Sequence, residues 1–144
     1  MILISLVILP RTKHVYMGFP SPAKDYQEDV IDLTSYLVQH PSATFYFRVT
    51  GDSMINACIP NGALLVVDRA VRPSNGVIVL AVVNGEFTVR RIVQTRKALV
   101  LHPENPAYKP MPVTEDMNMQ VWGVVTGVVI RYQTKNNDRV GGLQ

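Results

Sequence analysis

Half-cystines are what this chain most plainly lacks. It has one cysteine, Cys58, so no intrachain disulfide can brace it, and its 144 residues must hold together by burying a core. A single thiol suits a reducing, cytoplasmic setting. No basic side chain next to Cys58 would activate it, so it is expected to be a small buried hydrophobe. Acidic residues are missing from positions 1–24, which carry Arg11, Lys13 and Lys24, while the remainder has eleven basic and eleven acidic residues. A balanced body lacks the basic face of a direct, sequence-specific DNA binder. The cluster Arg90, Arg91, Arg96 and Lys97 reads as a solvated hairpin rim. Long apolar runs are also missing. Residues 2–9 are apolar apart from Ser5, but Pro10 ends the run far short of the roughly 20 residues a bilayer needs. The basic residues follow this run instead of preceding it, which argues against a signal peptide. The run is expected to dock an apolar edge onto the domain or a partner, with no membrane contact. No cofactor or metal site is expected.

What remains is globular: 47% hydrophobic and 17% charged. Prolines stiffen Gly18-Phe19-Pro20-Ser21-Pro22, so residues 1–24 read as an arm. Asp32 can cap a short helix carrying Leu33, Tyr36 and Leu37 on one face, ended by His40-Pro41. Residues 44–50 (TFYFRVT) and 64–68 read as strands. Residues 77–83 and 86–94 flank Asn84-Gly85, a strong hairpin signal. Residues 98–102 form a further strand, 103–112 a proline-rich loop, and 119–132 a long β-rich run bent or bulged near Gly123 and Gly127. The expected architecture is mainly β, of twisted antiparallel sheets with one or two short helices and an extended N-terminal arm. Its divisions are an arm over 1–24, a domain over 25–133 and a loose polar tail over 134–144.

The chemistry is expected at Gly51-Asp52-Ser53-Met54, between two strands. Residues 53–59 read as one or two helical turns. A helix start leaves backbone N–H groups unpaired, and the Ser53 and Met54 amides are placed to form an oxyanion hole. By itself the segment is a weak signal, and an ordinary serine N-cap is the more frequent meaning of such a pattern.

Five motifs in order raise its weight. They are Gly18-Phe19-Pro20-Ser21-Pro22-Ala23, His40-Pro41-Ser42-Ala43-Thr44, the run from Asn61-Gly62-Ala63 to Asp68, Asn75-Gly76-Val77-Ile78-Val79, and Gly85-Glu86-Phe87-Thr88-Val89-Arg90-Arg91. Together with the serine segment they resemble the UmuD branch of the LexA-type Ser/Lys self-cleaving peptidases, over residues 18–132. The resemblance implies that Ser53 is a nucleophile attacking the chain's own Met17-Gly18 bond, roughly 35 residues upstream. It implies a homodimer, stimulation by RecA filaments on single-stranded DNA, and a UmuC-like error-prone translesion polymerase as partner in SOS mutagenesis.

The chain departs from that pattern. Arg90 occupies the position of the dyad lysine, Met17 stands where the family has Cys or Ala, Ala63 stands in an Asp-Gly-Asp segment, and Val77 stands where Asp is frequent. Only Arg90 bears directly on proton transfer. A desolvated lysine can lose its proton near neutral pH and serve as general base, whereas arginine stays charged and offers only donors. Lys97 falls in a turn on the other face, and Lys24 and Lys109 lie in loops, so none is expected to substitute. Two readings stay open: a polymerase accessory subunit whose self-cleavage is impaired, or an active self-cleaving serine peptidase. A repressor with a helix-turn-helix unit is disfavoured by the short segment before the first motif. A membrane-anchored signal peptidase is disfavoured by the missing anchor.

Overall fold

The computed structural model describes residues 8–12 and 29–133. Strand β1 (Ile8–Thr12) pairs antiparallel with β2 (Asp29–Asp32) in a small two-stranded sheet. Helix α1 (Leu33–Leu37) follows. The Asp32 carboxylate caps it, accepting from the Thr34 and Ser35 amides at 3.1 and 3.4 Å. Such a cap satisfies donors that a helix start leaves open. The helix ends at Leu37, with Val38 as its extended C-cap, three residues before the expected His40-Pro41 stop. Strand β2 has no clear sequence signal, because its four residues are half acidic.

The main sheet has seven strands. They are β3 (Thr44–Arg48), β4 (Leu64–Asp68), β5 (Ile78–Val83), β6 (Glu86–Gln94), β7 (Leu99–His102), β8 (Met111–Pro112) and β9 (Gln120–Val129). Their spatial order is β3-β4-β9-β5-β6-β7-β8 with every pairing antiparallel. The mainly β expectation therefore holds, with the boundaries of the expected strands within about three residues of those read from turn chemistry, while the short strand β8 lies inside the segment expected to be a proline-rich loop. Asn84 and Gly85 both take positive φ, as the tight β5–β6 hairpin turn requires.

The last strand, β9, runs down the middle of the sheet between β4 and β5. Its apolar content is used there. Two bulges let it do so. The register against β5 skips Trp122, and the register against β4 skips Thr126. Each extra residue adjoins one of the glycines expected to mark a bend. At Gly123 the reason is contact: a Cβ would sit 2.6 Å from Val67 Cγ1. Trp122, re-aimed by its bulge, packs edge-on against Phe45, Phe47 and Phe87, while the Arg69 guanidinium lies 4.3 Å from its ring centre.

Both faces of the sheet are covered, which explains why β4 and β5 are almost continuously apolar. Leu65, Val67 and Leu80 face a core completed by Met54 and Ile59, whereas Val79, Ala81 and Val124 face a second core with Ile92 and Leu101. The first core anchors the segment that carries Ser53.

Candidate active site

Strand β3 stops at Arg48, and the chain turns sharply at Gly51, whose φ is +95°. The turn is tied to the β3–β4 connection. The Gly51 amide donates to Asn61 Oδ1 at 2.8 Å, and the Val49 amide donates to the Ala63 carbonyl at 2.9 Å. Met54, the residue after Ser53, is buried to 2% exposure and anchors the turn in the core. Ser53 sits between these anchors, half-buried at the mouth of a cleft of about 390 Å³. Buried Met54, Leu65 and Leu80 contribute to the cleft lining.

The helical segment is shorter than expected. It is one 3-10 turn, Ile55–Ala57, and it begins after Met54. Cys58 closes it in the left-handed conformation, and Pro60 follows. The oxyanion-hole candidates are therefore turn amides and not the start of an α-helix. The Ser53 and Met54 N–H groups have no hydrogen-bond acceptor among the described residues. Two adjacent free donors beside a hydroxyl are the arrangement needed to hold a developing oxyanion.

Arg90 reaches the site from β6. Its Nη1 donates to Ser53 Oγ at 2.8 Å and to the Val89 carbonyl at 2.7 Å. Residues 37 apart in sequence are thus in direct contact. Burial pulls the Arg90 pKa below the usual arginine value, while the nearby Tyr108 acts in the opposite direction. Arginine begins above roughly 12, so the side chain is a cation at neutral pH. It donates to the serine and has no lone pair with which to take its proton.

Comparison with known protein families matches residues 10–126 to Peptidase S24-like. The chain belongs to that family. Among its relatives, SamA of Salmonella typhimurium is 42% identical over 127 residues, covering 88% of this chain and 86% of SamA. ImpA of Escherichia coli is 46% identical over 115 residues, covering 79% of this chain and 77% of ImpA. The LexA repressor of Syntrophotalea carbinolica is 35% identical over 126 residues, covering 88% of this chain and 61% of the repressor. The resemblance to UmuD-like SOS-mutagenesis proteins, drawn from the ordered motifs, is upheld by these matches.

In this S24-like domain the serine turn is fastened by a loop whose role had no sequence signal. The Glu104 amide donates to the Ser53 carbonyl, and the Asn56 amide donates to the Glu104 carbonyl, both at 2.9 Å. The Glu104 carboxylate pairs with Arg91. Asn105 Nδ2 donates to the Asp52 carbonyl at 2.9 Å, and the Tyr108 hydroxyl donates to Asp52 Oδ1 at 2.7 Å. The hydrogen bond it donates to Asp52 and the negative charge of that carboxylate hold the Tyr108 pKa above the usual tyrosine value. These polar residues looked like ordinary members of a proline-rich loop. Contacts more than 50 positions apart are invisible to local pattern.

Other residues fall out of the site. Lys97 lies in the turn after β6, its amide held by Thr95 Oγ1, and neither Lys97 nor Lys109 lines the cleft. Cys58 was expected to be buried but is exposed. As the residue that ends the 3-10 turn it points its thiol outward, while Met54 and Ile59 take the core positions on either side. Met17, Gly18 and Lys24 lie outside the described residues. No three His, Cys, Asp or Glu side chains group as metal ligands among the described residues. No helix there is long and apolar enough to cross a membrane.

Proposed function

We propose that this S24-like protein is a UmuD-like SOS-response protein, an accessory subunit of an error-prone translesion DNA polymerase whose self-cleavage at Met17-Gly18 is impaired. The observation that carries the reading is the 2.8 Å donation from Arg90 Nη1 to Ser53 Oγ. Ser53 is the nucleophile, with the Ser53 and Met54 amides as oxyanion donors. Arg90 stands where the dyad lysine would serve as base. Attack on a peptide carbonyl requires the hydroxyl proton to leave, and a guanidinium has no place for it. A cationic donor also holds a serine lone pair, which lowers its nucleophilicity. The domain over 25–133 keeps its fold and surfaces regardless of that defect, so binding roles survive where cleavage does not. Within this reading residues 1–24 are the arm, residues 134–144 a tail, and the protein is a cytoplasmic homodimer. It meets RecA–single-stranded DNA filaments and a UmuC-like catalytic subunit.

Cleavage tests the enzymatic half. Purified protein is incubated with RecA filaments, or alone at alkaline pH, and resolved on a gel beside Ser53→Ala. The expected result is an uncut chain in both lanes. A fragment beginning at Gly18 that disappears in Ser53→Ala would establish an active self-cleaving peptidase and overturn the impaired reading. Co-purification with a UmuC-like polymerase subunit tests the accessory half; no association with the folded protein would refute it.

A further inference from the structure

Arg90 spends only part of its donor set. A guanidinium carries five N–H groups, two of them on Nη1. Those two are taken by Ser53 Oγ and the Val89 carbonyl. Nε and Nη2 hold the other three hydrogens and have no acceptor among the described residues, nor is any carboxylate paired with this cation there. Among the described residues no partnerless side-chain nitrogen is sealed from solvent, so the unused edge of Arg90, which lines the cleft, is open to it. That edge, Nε–H beside one Nη2–H, is a fork that matches the two oxygens of a carboxylate. The nearby Arg91 contrasts with it: its Nε is engaged by Glu104 and its Nη1 by the Gly76 carbonyl.

Three features converge on one ligand chemistry. The open fork calls for a planar anion. The adjacent Ser53 and Met54 amides are two more donors without acceptors among the described residues. The cleft wall of Met54, Leu65 and Leu80 calls for an apolar side chain beside that anion. A free peptide C-terminus after an apolar residue supplies both. A lysine would offer one compact ammonium here; arginine offers a bidentate dock.

We propose that the cleft is a receptor for a peptide α-carboxylate, and that its occupant is the C-terminus at Met17 of the arm once another subunit or protease has cut the Met17-Gly18 bond. The identity of the occupant rests on the cleavage-site reading above; the carboxylate chemistry does not. The Met17 side chain lies against the apolar wall, its carboxylate takes the Arg90 fork, and the severed arm stays bound. The residue that disables the cutting chemistry thereby retains the product of cutting.

Binding of synthetic peptides to the full-length Ser53→Ala protein tests this, using fluorescence anisotropy and a peptide of residues 10–17, Pro10 to Met17. The free acid is expected to bind at least about tenfold more tightly than the same peptide with an amidated C-terminus, the scale of a charge-assisted hydrogen-bond pair. Arg90→Gln should erase that preference and Arg90→Lys should keep part of it, with circular dichroism confirming that each variant is folded. Equal binding of acid and amide overturns the receptor, and because that comparison needs no Arg90 variant it stands even if a variant misfolds. A shuffled peptide that keeps the terminal Met separates the two readings. If its free acid matches the native acid, the carboxylate receptor is upheld while the assignment of the arm as occupant falls.

Discussion

Replacing Arg90 with lysine isolates the one step on which the impaired-enzyme reading depends. Lysine places its ammonium nitrogen where the arginine Cζ stands, one C–N bond, roughly 1.3 Å, short of Nη1. Since Nη1 lies 2.8 Å from Ser53 Oγ, a small rotation of the serine side chain brings a lysine into hydrogen-bond range. The site is half-buried, and the same desolvation that pulls Arg90 downward acts on a lysine. An unperturbed lysine, with a pKa of roughly 10.4, is only about 0.1% neutral at pH 7.4, and each unit of depression raises that fraction about tenfold. Cleavage of Arg90→Lys should therefore rise about tenfold per pH unit and level off at the lysine pKa. A positioned general base is worth about 10²- to 10⁴-fold, so at alkaline pH the variant should exceed the parent by at least about a hundredfold. The assay is the appearance of the fragment beginning at Gly18, quantified on gels across a pH series with Arg90→Lys/Ser53→Ala as blank. Failure of the folded lysine variant to cut at any pH would refute the claim that the base alone is missing. A parent chain that cuts as fast as the variant would refute the claim that Arg90 blocks proton transfer.

Gly123→Ala puts a methyl group 2.6 Å from Val67 Cγ1, a fully buried atom in the sheet centre, and should cost about 1–3 kcal/mol. For a chain of this length that lowers Tm by roughly 2–12 °C in a calorimetric scan; an unchanged Tm would contradict the tight bulge. Asp68, 2% exposed, accepts from the Ala70 amide at 2.8 Å and lies 2.7 Å from His40 Nδ1. Its pKa is lowered: burial opposes the charge, but the hydrogen bonds from His40 and Ala70 and the attraction of His40 outweigh it. A depressed carboxylate contributes stability that is complete above its unfolded pKa, near 3.8, and lost as pH falls through the folded value. Thermal scans should show the parent losing Tm below about pH 4, while Asp68→Asn, less stable at neutral pH, shows a flatter acid limb. Tyr108 is held above the usual tyrosine range by Asp52. In a spectrophotometric titration, Asp52→Asn should bring its ionisation down toward about 10, and Tyr108→Phe should delete that late phase.

The local part of the fold was legible because its causes are local. β-Branched runs bounded by Asn-Gly, Pro-Asn-Gly and Ser-Asn-Gly turns set where β4, β5 and β6 begin and end, and Asp32 marked the start of α1 by capping it. Ser53 was legible through a motif, and Arg90 through its place in an ordered series of motifs. Neither was found from geometry, since nothing in a strand's alternation says which distant serine it will meet. Several expectations failed where tertiary contact overrode local pattern: Arg90 and Arg91, read as part of a solvated hairpin rim, are half-buried against Ser53 and Glu104. Cys58 is turned outward because Met54 and Ile59 fill the core on either side of it, and the turn after Ser53 is a single 3-10 turn.

Taken alone, the order of amino acids determined the mainly β character, the turn positions and the chemical nature of the groups available, since each depends on residues within a few positions of one another. Only the tertiary structure decided that β9 would thread between β4 and β5, that the loop bearing Glu104, Asn105 and Tyr108 would clamp the Ser53 turn, and that Arg90 would donate to Ser53 while leaving its fork open. Those outcomes depend on which surfaces bury one another across 37 to 65 positions of chain, and burial is a property of the whole packed sheet rather than of any segment in it.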